Sequence, residues 1–302
     1  MITIFTIPKS FTNPHIEIIQ TNAIKSWLFL NPQPEIILYG DDEGVDTIAN
    51  KLNIKHIPNI KKNEFGTPLL SDVFNNVEKI AKNDILCYVN CDIILLQDLI
   101  ETTKIINEKE KKYLLLGQRW DYAQKDLIDF KLNWDKELKE NVKSKGELHL
   151  PAGSDYFIFK KEMFKNMPDF AVGRIGWDNW FIEYFIKNKI KVINCTDSIF
   201  IIHQNHDYSH KKILNNNTND KESLNNLKQF KQNNIDIKLL YTIDDVLYFF
   251  EKGKVVYKKG FKNIKRGILR FIFDNKIIFY ILKTILFPFK LIKRIIKRDK
   301  QC

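Results

Sequence analysis

Two polar side chains interrupt an otherwise apolar segment, LCYVNCDIILL, which runs from residue 86 to residue 96. Asn90 and Asp92 stand two positions apart, so on a β-strand both would point to the same face and could share one ligand. A carboxylate inside a core strand is costly unless a partner compensates its charge, and a metal ion is a common partner. The alternative is that the two residues end the strand and cap the helix that follows it.

Further candidate ligands follow a later predicted strand, in the segment HQNHDYSH. Imidazole nitrogens are common ligands of divalent cations, so His203 and His206 are candidates for the same metal site as Asp92. His203 is the first choice because it ends the strand. A lone histidine in this place would more simply be a structural residue, but Asp207 and His210 in the same segment favour a binding site.

The elements around these residues must bring them together. Apolar runs predict strands at ITIFTI, EIILYG, IKHIP and ILCYVNCDIIL, and helical patterns alternate with them at IEIIQTNAIKSWLFL, GVDTIANKL and PLLSDVFNNVEKIAK. This alternation predicts an α/β fold with a mostly parallel central sheet and helices on both faces. Ligands of such sheets bind beyond the carboxyl ends of the strands, and the polar segments PKS, GDDEG and NCD fall there.

In their order along the chain, GDD, FGTPLLSDVF, YVNCDIIL, AGSDYFIF, GWDNW and HQNHDYSH resemble nucleotide-sugar glycosyltransferases of the GT-A, Rossmann-like fold. The resemblance covers roughly residues 2–210. It implies a DxD-type motif that binds a divalent cation, Mn²⁺ or Mg²⁺, together with the ribose and diphosphate of the donor. Asp92 would be the direct metal ligand. Asn90 replaces the first acid of the motif, and because an amide carries no charge it should lower the metal affinity.

The resemblance also implies a role for the acid of GWDNW. In an inverting enzyme, an Asp or Glu near the start of a helix at this point takes the proton of the acceptor hydroxyl, and Asp178 matches by position. Trp177 and Trp180 would then stack on a sugar ring. The alternative is that Asp178 caps the helix and that both tryptophans belong to the core.

The remaining candidates are assigned to the substrates by their position. Expected to bind the donor nucleotide are Thr6, Pro8, Asp41, Asp42, Asn90, Asp92 and Arg119, and expected to line the donor sugar or the acceptor are Gly153, Ser154 and Asp155. Arg119 could instead pair with an acid. An ordinary turn before a strand would also account for the segment AGSDYF.

Positive charge is concentrated at the C-terminus. Residues 252–302 hold 16 Lys/Arg and two acids, which is +14 against a total of +11 and leaves −3 for the rest of the chain. The segment PFKLIKRIIKRDK places apolar and basic residues on opposite faces of a predicted helix. We therefore expect residues 261–302 to form a basic amphipathic helical tail that binds an anionic membrane surface. The alternative is that these helices pack on the catalytic domain.

Two further features bear on localisation. The longest apolar run, residues 277–289, is interrupted by Lys283 and Pro288 and is short for a transmembrane helix. The four cysteines have neither CxxC spacing nor the density of a disulfide scaffold, and the start MITIFTIPKSF lacks the pattern of a signal peptide. We expect a cytoplasmic protein, peripheral on the inner face of a membrane.

These observations predict three parts: a catalytic domain over residues 1–210, a polar linker with peripheral elements over 211–260, and the membrane tail over 261–302. The expected activity is inverting transfer of a sugar from a nucleoside diphosphate carrier to a hydroxyl of a glycan or lipid-linked glycan, in surface polysaccharide or glycoconjugate synthesis. A nucleic-acid partner is not expected, because the body of the chain is nearly neutral.

Three other functions are weighed against this one. A sugar-nucleotide pyrophosphorylase should have a Gly-rich phosphate loop after the first strand, and TIPKSFTNPH contains no glycine. A metal hydrolase built on HQNHD would need further ligands grouped early in the chain. A non-enzymatic membrane-binding module would account for the tail but would give Asn90 and Asp92 no purpose.

Overall fold

The computed structural model describes residues 1–206, 221–230, 239–275 and 278. The helices in these residues are α1 (Pro14–Leu28), α2 (Val45–Leu52), α3 (Leu70–Ile80), α4 (Asp98–Lys109), α5 (Trp134–Lys145), α6 (Trp177–Lys187), α7 (Lys221–Lys228) and α8 (Phe261–Asp274). The strands are β1 (Ile2–Thr6), β2 (Glu35–Tyr39), β3 (Lys55–Ile57), β4 (Ile85–Val89), β5 (Ile93–Ile94), β6 (Tyr113–Leu116), β7 (Trp120–Tyr122), β8 (Glu147–Leu148), β9 (Tyr156–Lys160), β10 (Lys191–Asn194), β11 (Ile202–Gln204), β12 (Tyr248–Glu251) and β13 (Lys254–Tyr257).

One large sheet organises the described part of the chain. Its strand order is β13-β12-β10-β6-β9-β4-β1-β2-β3, and all of these strands run in the same direction except β9 and β13. The predicted α/β class, with a mostly parallel sheet, is therefore confirmed. Since β2, β1 and β4 are parallel neighbours, the loops that follow them leave the sheet at the same edge.

Helices cover both faces of this sheet, as the alternation of strand side chains requires. In β4, Cys87 and Val89 point into an apolar cluster that includes α1, α2 and α4. Leu86 and Tyr88 point into a second cluster that includes α3 and α6 and is rich in aromatic rings. The burial of both faces accounts for the nearly continuous apolar runs of the parallel strands.

A smaller sheet stands beside the large one, with the strand order β5-β11-β7-β8. β11 lies between β5 and β7, antiparallel to the first and parallel to the second. This register places His203 beside Ile93 on one side and beside Asp121 on the other. The strand that carries the predicted histidine is thereby fixed next to the segment that carries Asp92.

The predicted boundary at residue 210 is wrong, because the large sheet continues beyond it. β12 pairs with β10 and β13 pairs with β12, so residues up to Tyr257 belong to the same fold as β1. α7 is also no solvated linker: the buried Asn226 side chain hydrogen-bonds both the N–H and the C=O of Ala171, at 2.9 and 3.1 Å. The rest of the predicted linker, residues 211–220 and 231–238, lies outside the described residues.

α8 begins the segment predicted as a membrane tail. Within the described residues, no helix is both long enough and apolar enough to cross a bilayer. The amphipathic helix predicted from PFKLIKRIIKRDK lies outside the described residues.

Candidate active site

The chain turns at the NCD segment instead of continuing as a strand. β4 ends at Val89, a hydrogen bond of 3.1 Å from the Ile93 N–H to the Asn90 C=O closes the turn, and β5 begins immediately after it. The prediction that Asn90 and Asp92 lie on one strand is therefore wrong. Their side chains make separate contacts, Asn90 with Asp155 and Asp92 with His206.

Asp92, His203 and His206 converge at this turn. The Nε2 atom of His206 lies 3.1 Å from Asp92 Oδ2, and the Nε2 atom of His203 lies 3.8 Å from the same oxygen. One ligand atom from each residue falls within 4.8 Å of the others. Two backbone features hold the histidines there: the pairing of β11 with β5, and a hydrogen bond of 3.2 Å from the Gln204 N–H to the Asp92 C=O.

The Asp92 carboxylate is mostly buried, with the side chain 16% exposed and Oδ1 fully buried, but it remains a strong acid. Burial by itself raises its pKa, yet the hydrogen bond from His206 and the positive charges of His203, Lys9 and His206 bring the pKa down to about 2. The Lys9 charge comes from the β1–α1 loop, whose backbone is held by the buried Gln20 side chain through two hydrogen bonds at Lys9. At neutral pH the Lys9 charge and the hydrogen bond from His206 stabilise the ionised carboxylate, whereas burial lowers the pKa of His203, so that this imidazole is uncharged and able to bind a metal.

These three residues form a donor set that fits a divalent cation. The Oδ1 atom of Asp92 is buried and accepts no hydrogen bond from the described residues, so this oxygen needs a partner. One carboxylate and two imidazoles suit Mn²⁺ or Zn²⁺ better than Mg²⁺, which prefers oxygen ligands only.

Behind the cluster stands Asp121, an acid that sequence reasoning missed. The Nδ1 atom of His203 lies 3.0 Å from Asp121 Oδ1, although the ring is not aligned for a straight hydrogen bond. His149 and Arg119 also contact this carboxylate, at 2.6 and 2.9 Å. Burial raises the pKa of Asp121, but these two partners lower it below its usual value. An acid behind a ligating imidazole fixes the ring orientation. The sequence signal was only RWDY, whose last three residues form the unrecognised strand β7.

Asn90 belongs to a second chain of contacts that leads away from the metal cluster. Its Nδ2 donates to Asp155 Oδ1 at 2.8 Å, and the Nη1 atom of Arg119 donates to Asp155 Oδ2 at 2.6 Å. Both oxygens of the buried Asp155 are thus engaged by protein groups. Asp155 positions Asn90 and Arg119, and its predicted place beside the donor sugar or the acceptor stays a prediction. Arg119 pairs with two acids, Asp121 and Asp155, which was the alternative interpretation of this residue.

Asp178 lies in the first turn of α6, beside Ser154 and Asp155. Gly176 caps the helix at φ +105°, a conformation that other residues rarely adopt, and a Cβ added there would lie 3.0 Å from the Phe230 ring. The backbone N–H groups of Asn179 and Ser154 lie close enough to the Asp178 carboxylate to stabilise its ionised form. Burial raises the pKa of Asp178 to about 6, assisted by the nearby charge of Asp155 and opposed by these N–H groups.

Of the two tryptophans beside Asp178, Trp177 is too deeply buried to form the predicted sugar platform. Trp177 is buried in the aromatic core, edge-on to Tyr88 and Phe157 at centroid distances of 5.1 and 5.4 Å. Trp180 packs against Phe170 and Tyr184 on the same helix-covered face. Their spacing in the sequence reflects the packing of α6 on the sheet, so the core alternative is correct for Trp177.

The other predicted donor residues lie at the same sheet edge without joining the cluster. Thr6 is buried at the end of β1, and its hydroxyl has no hydrogen-bond partner among the described residues. Pro8 is buried in the next loop, whereas Asp41 and Asp42 are exposed after β2, with Asp41 in an ion pair with Lys62.

The segment before β9 leaves space at the same edge. Gly153 has φ +95°, and no atom lies within 4 Å of where a Cβ would stand. The Ser154 hydroxyl is buried without a partner among the described residues. Both features leave room and hydrogen-bonding capacity for a ligand.

No family model matches the sequence, and no curated protein matches it either. Among solved structures, it is similar to S. aureus TarS 1-349, at 12% identity, a TM-score of 0.45, and coverage of 67% of this chain and 60% of that one. A complex of the same fragment with UDP-GlcNAc matches at 16% identity and a TM-score of 0.31, over 43% of this chain and 37% of that one. A putative glucose-1-phosphate thymidylyltransferase from Bacillus anthracis matches at 9% identity and a TM-score of 0.38, over 67% of this chain and 89% of that one. The chain thus spans 60% of the TarS fragment at most, and likeness at this level does not by itself assign a function.

Asp92→Asn should weaken Mn²⁺ binding by at least about tenfold, because it removes the only carboxylate of the cluster. Titration of the protein with Mn²⁺, followed by the electron paramagnetic resonance of the free ion, measures this affinity. The control is Asp46→Asn, which removes an exposed acid on α2 and should leave the affinity unchanged. Equal Mn²⁺ affinity of wild type and Asp92→Asn would contradict the metal assignment.

Asn90→Asp should destabilise the protein at neutral pH, although it restores a two-acid motif. The new carboxylate would stand where an amide now donates to Asp155 Oδ1 at 2.8 Å, and two carboxylates this close resist ionising together. We expect a loss of roughly 1–3 kcal/mol in the free energy of unfolding at pH 7 without metal. The loss should shrink as the pH falls, because the pair then binds a proton in the folded state.

Thermal unfolding of Asn90→Asp from pH 5 to pH 8 measures this effect. Asn141→Asp, at an exposed position of α5, is the matched control for adding one acid. A pH-independent difference between Asn90→Asp and wild type would show that Asp155 does not set the residue type at position 90.

Proposed function

We propose that the protein is a glycosyltransferase of the GT-A type, which transfers a sugar from a nucleoside diphosphate to a hydroxyl of a glycan or lipid-linked glycan. The observation that carries the proposal is the convergence of Asp92, His203 and His206 at the carboxyl edge of the sheet. Lys9 supplies positive charge to the same place from the β1–α1 loop. This is an arrangement for binding phosphate groups and a cation together.

Each part of the proposed reaction has a candidate group. A divalent cation bound by the three ligands would supply positive charge to stabilise the leaving diphosphate. Lys9 adds a positive charge at the same turn, and the Asp121 carboxylate stands 3.0 Å from Nδ1 of His203. Thr6 and the loop after β2, with Asp41 and Asp42, stand at the edge where a nucleoside would lie.

Asp178 is the proposed base. With a pKa raised to about 6, Asp178 is ionised in most molecules at neutral pH. It is nevertheless a better proton acceptor than an ordinary Asp. The Ser154 and Asn179 N–H groups favour the ionised form of this carboxylate, which stands at the start of α6. An acceptor hydroxyl beside this carboxylate could attack the donor while losing its proton, which is the geometry of an inverting transfer.

The biological setting is part of the proposal. An enzyme that extends surface polysaccharides or glycoconjugates meets its acceptor at a membrane, and the +14 charge of residues 252–302 suits an anionic lipid surface. We place the protein in the cytoplasm, peripheral on the inner face of a membrane.

A screen of nucleotide sugars tests the proposal. We expect one UDP-, GDP- or TDP-sugar to raise the melting temperature and to be slowly hydrolysed to nucleoside diphosphate, with Mn²⁺ increasing both effects. The parallel reaction, with a sugar 1-phosphate and nucleoside triphosphates, would release pyrophosphate if the chain were a nucleotidyltransferase. Pyrophosphate release without hydrolysis of any nucleotide sugar would overturn the glycosyltransferase assignment.

Asp178→Asn should lower the turnover rate by roughly 10²-fold or more, with little change in donor affinity. The wild-type rate should also fall as the pH drops below about 6, because the base becomes protonated. The same variant should be more stable than wild type at pH 7, by on the order of 2 kcal/mol, since ionising Asp178 in the folded state is costly. This gain should be complete above pH 6 and vanish below the unfolded pKa of about 4.

Turnover and thermal unfolding of the same Asp178→Asn samples separate the two roles. A slower but more stable variant identifies a catalytic base, whereas a slower and less stable one identifies a helix cap. A product that retains the anomeric configuration of the donor would remove the need for a base.

A further inference from the structure

α8 turns its apolar side away from the protein. Phe261, Ile264, Ile268 and Phe271 recur at helical spacing on one face of α8, and they are 82, 43, 55 and 63% exposed. An amphipathic helix of a soluble domain normally buries this face. Among the described residues nothing covers it, so the helix is held to the protein by its polar face.

Two arginines hold that polar face. Arg266 donates to both oxygens of the Asp245 carboxylate, at 2.8 and 2.9 Å, and Arg270 forms an ion pair with the same carboxylate. Arg270 also lies over the ring of Tyr241, 3.8 Å from its centroid. Burial raises the pKa of Asp245, but the two arginines lower it below its usual value, so the acid stays ionised and the orientation of α8 is fixed.

The segment that receives α8 also contacts the loops of the candidate active site. The Ile243 N–H donates to the C=O of Pro151 at 3.2 Å, just before Gly153. The Asn179 side chain, next to Asp178, donates to the C=O of Tyr241 at 2.7 Å. The orientation of α8 is thereby linked to the Gly153 loop and to the first turn of α6, which contains Asp178.

The charges around the exposed face indicate what covers it. Lys259, Lys262 and Lys265 are exposed on and beside α8, and the chain from residue 252 onwards carries a net charge of +14. A second copy of this chain docking through the same face would bring two strongly basic surfaces together. An anionic bilayer offers both an apolar layer for the isoleucines and phenylalanines and negative headgroups for the lysines.

We propose that the Phe261–Ile264–Ile268–Phe271 face of α8 docks into the headgroup boundary of an anionic lipid bilayer. The docked helix would hold the Gly153 loop and the start of α6 close to the lipid surface, where a lipid-linked acceptor is presented. This second statement rests on the proposed function, whereas the docking itself does not.

Vesicle flotation of the full chain tests the docking without any assay of transfer. Wild type should bind vesicles of phosphatidylcholine mixed with phosphatidylglycerol, bind those of phosphatidylcholine alone weakly, and detach as salt is raised. The triple variant Ile264→Gln, Ile268→Gln, Phe271→Gln should lose about tenfold or more in affinity for the anionic vesicles. The control Leu127→Gln, Leu132→Gln removes two other exposed leucines and should bind like wild type.

Other occupants of the face give other results. Unchanged vesicle binding by the triple variant would overturn the proposal and leave the lipid contact to residues after α8. A concentration-dependent dimer that the triple variant abolishes would identify a second copy as the occupant. A melting temperature several degrees lower in the triple variant would show that the chain itself covers the face.

Loss of vesicle binding in the triple variant with no change in hydrolysis of a nucleotide sugar would support docking as a separate property from catalysis. Failure of every nucleotide sugar, with vesicle binding intact, would remove the proposed function and leave the docking standing.

Discussion

The burial of the Asp92 carboxylate is the constraint on which the rest of the candidate site depends. An ionised group in this position must be compensated, and the compensation comes from segments far apart in the chain. Lys9 approaches from the loop after β1, and His203 and His206 approach from β11 and its end. Each segment therefore has to be held within a few ångströms of the turn after β4.

The small sheet and two buried amides provide that support. β11 is fixed between β5 and β7, so its histidines face the turn. The buried Gln204 side chain donates to the C=O groups of Ile19 and Asp92, at 2.7 and 3.2 Å, and it accepts from Asn22. Gln20, also on α1, hydrogen-bonds the backbone N–H and C=O of Lys9. The polar residues buried in α1 are explained by the need to position charges, since the core itself would prefer apolar ones.

Local patterns were sufficient to predict the parallel half of the fold. Strand and helix alternate with distinct periods up to β4, and the residues that leave the sheet edge there are polar, so both the class and Asp92 could be predicted. β9 and β11 could not be placed in the same way. β9 enters antiparallel between β4 and β6, and β11 pairs with strands about 80 to 110 residues earlier, which no short-range pattern specifies.

The errors in the site have the same origin. Asp121 was missed because its importance arises only from the β7–β11 register, and Trp177 was misassigned because an aromatic ring beside an acid suits a sugar pocket and a core equally well. For α8, the sequence shows apolar residues on more than one face. Only the ion pairs to Asp245, from a 3-10 turn at Ile243–Asp245, decide which face is left outside.

Charge balance also explains why position 90 carries an amide. The three acids at this edge, Asp92, Asp121 and Asp155, already share Arg119, Lys9 and the histidines as their partners. Asp155 occupies the place beside residue 90, with one oxygen on Arg119 and the other on the Asn90 amide. An acid at position 90 would face Asp155 directly, whereas an amide donates a hydrogen bond to it. Asp155, which stands just before the neighbouring strand β9, thereby orients both Asn90 and Arg119.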